Sequence, residues 1–154
     1  SGKYNREQII KKAIEKSSIE NKYDYILFDC PPGMGIFALN AIASADSLLI
    51  PCQCELLAME GMGILFELLE EPIENLNPDI DILGILPTRL DGRKALTGDA
   101  YEMLKMKYEN VLEPIRENVR LSELGIDTKS VFENDPKSNG AKDYMKLAEV
   151  IIGG

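Results

Sequence analysis

The feature that most constrains this chain is the character of its apolar runs. Tyr25-Ile26-Leu27-Phe28, Leu48-Leu49-Ile50 and Ile82-Leu83-Gly84-Ile85-Leu86 are continuous, and helical patterns lie between them. A sheet with one wet face alternates apolar and polar residues, so unbroken runs predict strands buried on both faces. Strand after helix after strand then predicts an α/β chain, with a mostly parallel sheet and helices on both faces. The spacing predicts strands over 23–29, 47–51 and 81–87, a fourth at Val111-Leu112, and a final edge strand at Ser130-Val131-Phe132. Helices are predicted from Asn5 to Lys16, from Ile36 to Ala45, and from Leu56 to about Leu76, the last with Leu57, Ile64, Leu65, Leu68 and Leu69 as its buried stripe. Thr97 is expected to cap a further helix, Asn118 to Glu123 to form a short one, and Asn139 to Ile152 to close the chain with Tyr144, Leu147, Ala148 and Ile151 inward. The 154 residues are expected to make one domain, residues 1–22 being a peripheral helix on a core of 23–154.

Composition removes whole classes of chemistry. The chain has no histidine, which excludes a Ser-His-Asp triad, a Cys-His pair and a histidine zinc site within it. Catalysis would have to use carboxylates, Lys, Arg or backbone. The apolar runs are far shorter than the ~18–20 residues that cross a bilayer, and no basic-then-apolar segment opens the chain, so a soluble, cytoplasmic protein with no membrane partner is expected. Cys52 and Cys54, two apart in a strand-like stretch, point the same way without good disulfide geometry, and packed reduced thiols fit best. Ser1-Gly2 in place of an initiating Met is expected either of a remnant appended at the amino terminus or of a chain that begins partway through a longer one. The net charge of −9 is concentrated: nine acids and no Lys or Arg lie between Asp46 and Thr88, whereas Arg89 to Lys129 balances eight bases against eight acids. The total argues against nucleic acid, and its distribution leaves room for a local basic surface in the second stretch.

In parallel sheets ligands bind outside the carboxyl ends of the strands, which nominates Asp29–Gly35, Pro51–Glu55 and Thr88–Arg93 as walls of one site. Asp29 is the sharpest feature among them. An acid that closes an apolar strand and runs into Cys30-Pro31-Pro32-Gly33-Met34-Gly35 is placed as nucleotide hydrolases place a Mg²⁺ ligand, and equally as a turn places an acceptor for backbone N–H groups. The loop that would cradle phosphate, G-x-x-x-x-G-K-[ST], is absent: Lys3 is followed by Tyr4, and Gly140-Ala141-Lys142 has the wrong spacing. Either the chain is no nucleotide hydrolase, or its phosphate loop lies upstream of Ser1.

The run Tyr23–Pro32, then Leu39-Asn40-Ala41, Ala45-Asp46, Leu49–Glu55, Ala58-Met59-Glu60-Gly61, Asn118–Glu123 and Asp135–Ala141, in this order and spacing, resembles the ParA/Soj family of partition ATPases, deviant Walker-type P-loop ATPases related to MinD. The resemblance implies the carboxyl-terminal portion of a P-loop NTPase-like fold that lacks the phosphate-loop half. For the intact protein it implies Mg²⁺-dependent ATP hydrolysis, an ATP-bound homodimer, non-specific DNA binding near the nucleoid and a ParB-like partner, in plasmid or chromosome segregation. By resemblance Asp29 is the Walker B aspartate and metal ligand, and Pro31, Pro32, Gly33 and Gly35 belong to the switch II loop that senses the γ-phosphate. Thr88, Arg116 and Asn118 fall where the family approaches the adenine, and Arg93 and Arg120 match arginines that contact DNA phosphates. Where the family commonly has Pro-Arg before Asn-Val-Arg, this chain has Arg116-Glu117, which adds a negative charge near the proposed DNA face. The 154 residues alone are expected to be inactive, because the groups that position and neutralise the γ-phosphate are not among them.

A reading from another class is a non-catalytic, acidic interaction module derived from the ATPase fold. Such a module is expected to have blunted or covered the sheet edge that a missing half would expose. Lys137 and Lys142 are weaker candidates for anion contact, and a carboxylate or thiol enzyme has no second acid or base spaced beside Asp29.

Overall fold

The structure, a computed structural model, describes residues 6–118 and 129–153, the side chain of Met59 excepted. In chain order it contains α1 (Ile9–Ser17), a 3-10 turn (Ile19–Asn21), α2 (Ile36–Ser44), β1 (Ser47–Gln53), α3 (Leu56–Leu76), β2 (Asp81–Leu90), α4 (Ala95–Lys107), β3 (Ile115–Arg116), α5 (Val131–Asn134) and α6 (Asn139–Gly153). The strands form a parallel three-stranded sheet in the order β1-β2-β3. The α/β class expected from the unbroken apolar runs is therefore the observed one. The chain divides into two compact units, Ser1–Leu48 with Ile64–Asp81, and Leu49–Gly63 with Ile82–Gly154.

In the first unit α2 supplies the centre, with Ala41, Ile42 and Ala43 buried together with Leu69 and Ile80. Two buried or half-buried carboxamides tie it together. Asn40 accepts from the Ile10 N–H at 3.1 Å and donates to the carbonyls of Arg6 and Ile36 at 2.8 Å, so α2 satisfies a backbone donor at the open end of α1. Asn77 donates to the carbonyls of Ile42 and Ala45, closing the far end of α2. No α1 residue is buried. Asn5, the expected start of this helix, lies outside the described residues.

In the second unit Leu104 and Ala100 of α4, Ile85 and Leu86 of β2, Ile115 of β3, Val131 and Ala141 form the core. Full burial of a side chain like Leu104 contributes about 2–3 kcal/mol. Gly84 lies within β2 where the chain at 110–112 passes against it: a Cβ there would stand 2.8 Å from the Asn110 carbonyl and 2.9 Å from Leu112 Cγ. Ile85 bridges Val111, and the ladder resumes with Thr88 opposite Ile115 and Leu90 opposite Arg116.

Five local expectations are corrected. Residues 23–29 form no strand; Leu27 is 80% exposed and the segment stands outside the three-stranded sheet. Strand propensity expresses itself only against a neighbouring strand and a covering layer. Ser130–Phe132 is the start of α5 rather than an edge strand, because Ser130 and Glu133 make a reciprocal capping box that nucleates a helix. Thr97 lies inside α4, its hydroxyl donating to the carbonyls of Asp91 and Lys94, while Lys94 is the N-cap. In α3 the buried residues include Met62 and Leu69, but Leu57, Ile64 and Leu68 are exposed, since this helix carries apolar residues on more of its circumference than it buries. Tyr144 of α6 is likewise exposed, and the buried face begins at Gly140, Ala141 and Asp143. The expected helix at 118–123 falls almost wholly outside the described residues.

Candidate functional site

Asp29 belongs to the first unit, on an irregular segment that leads through Pro31, Pro32, Gly33 and Gly35 into α2. Two prolines exclude strand and helix here, Gly33 takes φ +101°, and Gly35 becomes the N-cap of α2, its carbonyl accepting from the Leu39 N–H at 3.1 Å. Asp29 is exposed, and among the described residues no three His, Cys, Asp or Glu side chains are grouped to hold a metal. One carboxylate is nonetheless what Mg²⁺ uses when phosphate oxygens and water complete its octahedron, so Asp29 fits that ion and no all-protein cage. The neighbouring Cys30 thiol is pushed up by partial burial and then by the Asp29 charge.

The second unit holds a groove of about 680 Å³ at the carboxyl ends of β2 and β3. Leu90–Arg93, Arg116–Asn118 and Lys137–Asn139 line it, so Arg93, Arg116 and Asn118 share one concavity with Lys137. Thr88 stands just behind, its hydroxyl donating to the Cys52 carbonyl at 3.4 Å while its own carbonyl accepts from the Cys54 N–H. Arg120 lies outside the described residues. Ser138 opens α6 at the edge of the groove, its hydroxyl oxygen accepting from the Ala141 N–H at 3.1 Å.

Two carboxylates absent from the sequence-based candidates organise this groove. Asp91 is 7% exposed. Its Oδ1 accepts from the Arg93 N–H at 3.1 Å and from Nε at 2.9 Å, and its Oδ2 from Nη2 at 3.2 Å. The side-chain hydrogen bond from Arg93, the backbone one and the adjacent cations hold its carboxyl down at about 2. The Arg93 guanidinium is fixed on one edge and otherwise open to solvent. Asp143, on α6 and 6% exposed, does the same for Arg116: Oδ2 accepts from the backbone N–H and Nε at 3.0 Å each, and Oδ1 from Nη2 at 2.6 Å. Burial pushes the Asp143 carboxyl up, but the hydrogen bonds from Arg116 outweigh it and the net shift is down. Asp143 lies in the helix expected over Asn139 to Ile152 but carries no signal of its own there, since the inward set that periodicity marks is apolar. Asp91 looked like an ordinary turn residue in Asp-Gly-Arg.

Arranged this way, the groove offers the cations Arg93, Arg116 and Lys137 against the carboxylates Asp91 and Glu117, with an amide at Asn118 and the positive end of α6. That combination suits a polar ligand with anionic groups.

A family profile described as an AAA domain matches residues 1–82, more than half of the chain. The chain is 38% identical over 148 residues to the sporulation initiation inhibitor protein Soj of Bacillus subtilis (strain 168), covering 95% of this chain and 58% of that protein. It is 39% identical over 150 residues to the chromosome partitioning protein ParA of Myxococcus xanthus (strain DK1622), covering 96% of this chain and 52% of that one. The chain thus spans a little over half the length of these relatives. Among solved structures it is similar to cobyrinic acid a,c-diamide synthase from Mycobacterium smegmatis with bound ATP analogue and magnesium, at 29% identity and a TM-score of 0.78, over 96% of this chain and 54% of that one.

Proposed function

Because the chain belongs to the ParA/Soj family of partition ATPases, we propose that it supplies the switch loop, the base-facing wall and part of the DNA face of a Mg²⁺-dependent ATPase acting in plasmid or chromosome partition. The observation that carries this reading is the polar groove at the carboxyl ends of two parallel strands, where Arg93, Arg116 and Asn118 converge.

In this reading Asp29 holds the metal through its carboxylate, directly or through water, and a bound Mg²⁺ offsets negative charge on the phosphate oxygens. The Pro31–Gly35 loop reads the γ-phosphate and passes its state to α2, whose N-cap is Gly35. Asn118 and the backbone after β3 meet the base, with Arg116 serving as the strut that Asp143 fixes. Arg93, held by Asp91 on one edge, offers its other edge to a DNA phosphate, and Arg120 is assigned the same role. ATP joins two copies, hydrolysis releases them from DNA on the nucleoid, and a ParB-like protein stimulates the cycle.

The test joins the chain to a phosphate loop in the full-length protein and measures Mg²⁺-dependent ATP hydrolysis. Activity that falls at least ~100-fold in Asp29→Ala is expected, with no turnover by the 154 residues alone. A Mg²⁺-dependent rate from the 154-residue chain that disappears in Asp29→Ala would overturn the division of labour proposed here. A full-length protein that neither hydrolyses ATP nor binds DNA would replace it with the acidic interaction module.

A further inference from the structure

The rim of the groove carries an irregularity that the proposed function leaves unused. Thr88 pairs with Ile115 and Leu90 with Arg116, so Arg89 is the extra residue in a bulge between two ladder steps. Its backbone takes φ +56°, a left-handed conformation that non-glycine residues adopt only at an energetic cost. Bulges of this kind re-aim a side chain, and this one sends the Arg89 guanidinium out to where Nη2 stands 3.9 Å from Glu117 Oε1. Lys94, in the turn before α4, is shared: its Nζ stands 3.9 Å from the other oxygen of the same carboxylate and 3.7 Å from Asp91 Oδ2. The Glu117 N–H donates to the Leu90 carbonyl at 2.9 Å, so the ladder, and not the two wide ion pairs, fixes this residue between the two cations. Asp91 is held by the close hydrogen bonds of Arg93 and also stands near Lys94, whereas Glu117 meets both of its cations only at 3.9 Å, so its side chain is held loosely.

We propose that Glu117 is a built-in competitor for DNA phosphate: it occupies Arg89 and, together with Asp91, Lys94, and a duplex recruits these two cations to the rim beside Arg93 in competition with its carboxylate. The inference rests on the reading of this rim as a DNA-facing surface. Two phosphate contacts beyond Arg93 would each add to counterion release, and the carboxylate subtracts from that gain. It holds DNA affinity below what the uncovered rim would reach.

The test is anisotropy of a labelled mixed-sequence duplex titrated with the full-length, nucleotide-loaded protein at about 50 and about 200 mM salt. Glu117→Gln keeps the size of the side chain and the backbone bond to Leu90. It is expected to bind about two- to fivefold tighter at the lower salt, with a smaller gain at the higher one. Glu117→Lys is expected to gain more, and Glu117→Ala to move in the same direction, with circular dichroism melts confirming that each variant folds. In an Arg89→Gln, Lys94→Gln background the gain should vanish. Unchanged or weaker binding by Glu117→Gln overturns the proposal, as does a gain that survives without Arg89 and Lys94. If Arg93→Gln binds as the wild type does, the role given to Arg93 fails, while an Arg89- and Lys94-dependent gain in the same series still supports the competitor. If no variant binds the duplex, both fall.

Discussion

Asp91 is buried yet accepts three hydrogen bonds from Arg93, and that number sets its titration. Its folded value of about 2 lies below the ~3.9 of an unfolded aspartate, so its contribution to stability is fully present above about pH 4 and is lost as pH falls toward 2. Thermal melts of wild type and Asp91→Asn should therefore differ by a constant amount above about pH 5 and converge as the pH drops through that window; a difference that instead grows in acid would contradict the geometry. Asp143 works by a different balance. Asp143→Ala strips the acceptor from the Arg116 N–H and guanidinium together, and because that guanidinium is partly exposed, water restores some of the loss. Urea unfolding should show a cost of about 1–3 kcal/mol, and Asp143→Asn a smaller one, since the amide oxygen can still accept.

At the scale of elements, α1 has no buried residue of its own and depends on α2 through Asn40. Asn40→Ala removes three hydrogen bonds at a buried position; about 1–3 kcal/mol is expected, with hydrogen exchange of the α1 amides accelerating well before that of α2. Equal acceleration in both helices would mean that Asn40 supports α2 rather than the junction. Which elements were legible in the sequence follows from the same local logic. The span of α3, the closing helix and strands β1 and β2 announce themselves, because long periodic or unbroken apolar patterns leave few alternatives. Tyr23–Asp29 has an equally strong pattern and yet no place in the sheet, since pattern reports what a segment would do beside a partner strand. Ser130 and Glu133 spell a capping box that outranks the β-branched and aromatic residues between them. Arg93, Arg116 and Asn118 were legible as candidates, but the carboxylates that orient them were not, because Asp91 and Asp143 acquire meaning only from what folds over them.

At the scale of the molecule, the division into two compact units runs through β1 and α3, so neither unit is a continuous piece of sequence. Large apolar side chains remain exposed in both, among them Leu27, Phe37 and Ile64 in the first and Leu57, Leu96 and Met106 in the second. Patches of this kind seek cover: the isolated chain should bind a hydrophobic dye in its native state and sediment faster as its concentration rises, and charged substitutions at Leu57, Ile64 and Leu68 should suppress both. Among the described residues no helix is long and apolar enough to cross a membrane, so this surface does not form a helical span. The cysteines divide along the same line of exposure. Cys52 and Cys54 are buried, their thiols pushed up by burial, Cys54 to about 11, whereas Cys30 is open to solvent one residue from Asp29. A maleimide at about pH 8 should therefore attach once per native chain and three times after denaturation, as mass spectrometry would read directly. Cys30 gives the Pro31–Gly35 segment its own attachment point, so a fluorophore or spin label placed there, without engineering a single residue, tests the proposed switch role directly: its signal should change when ATP and Mg²⁺ are added to the full-length protein.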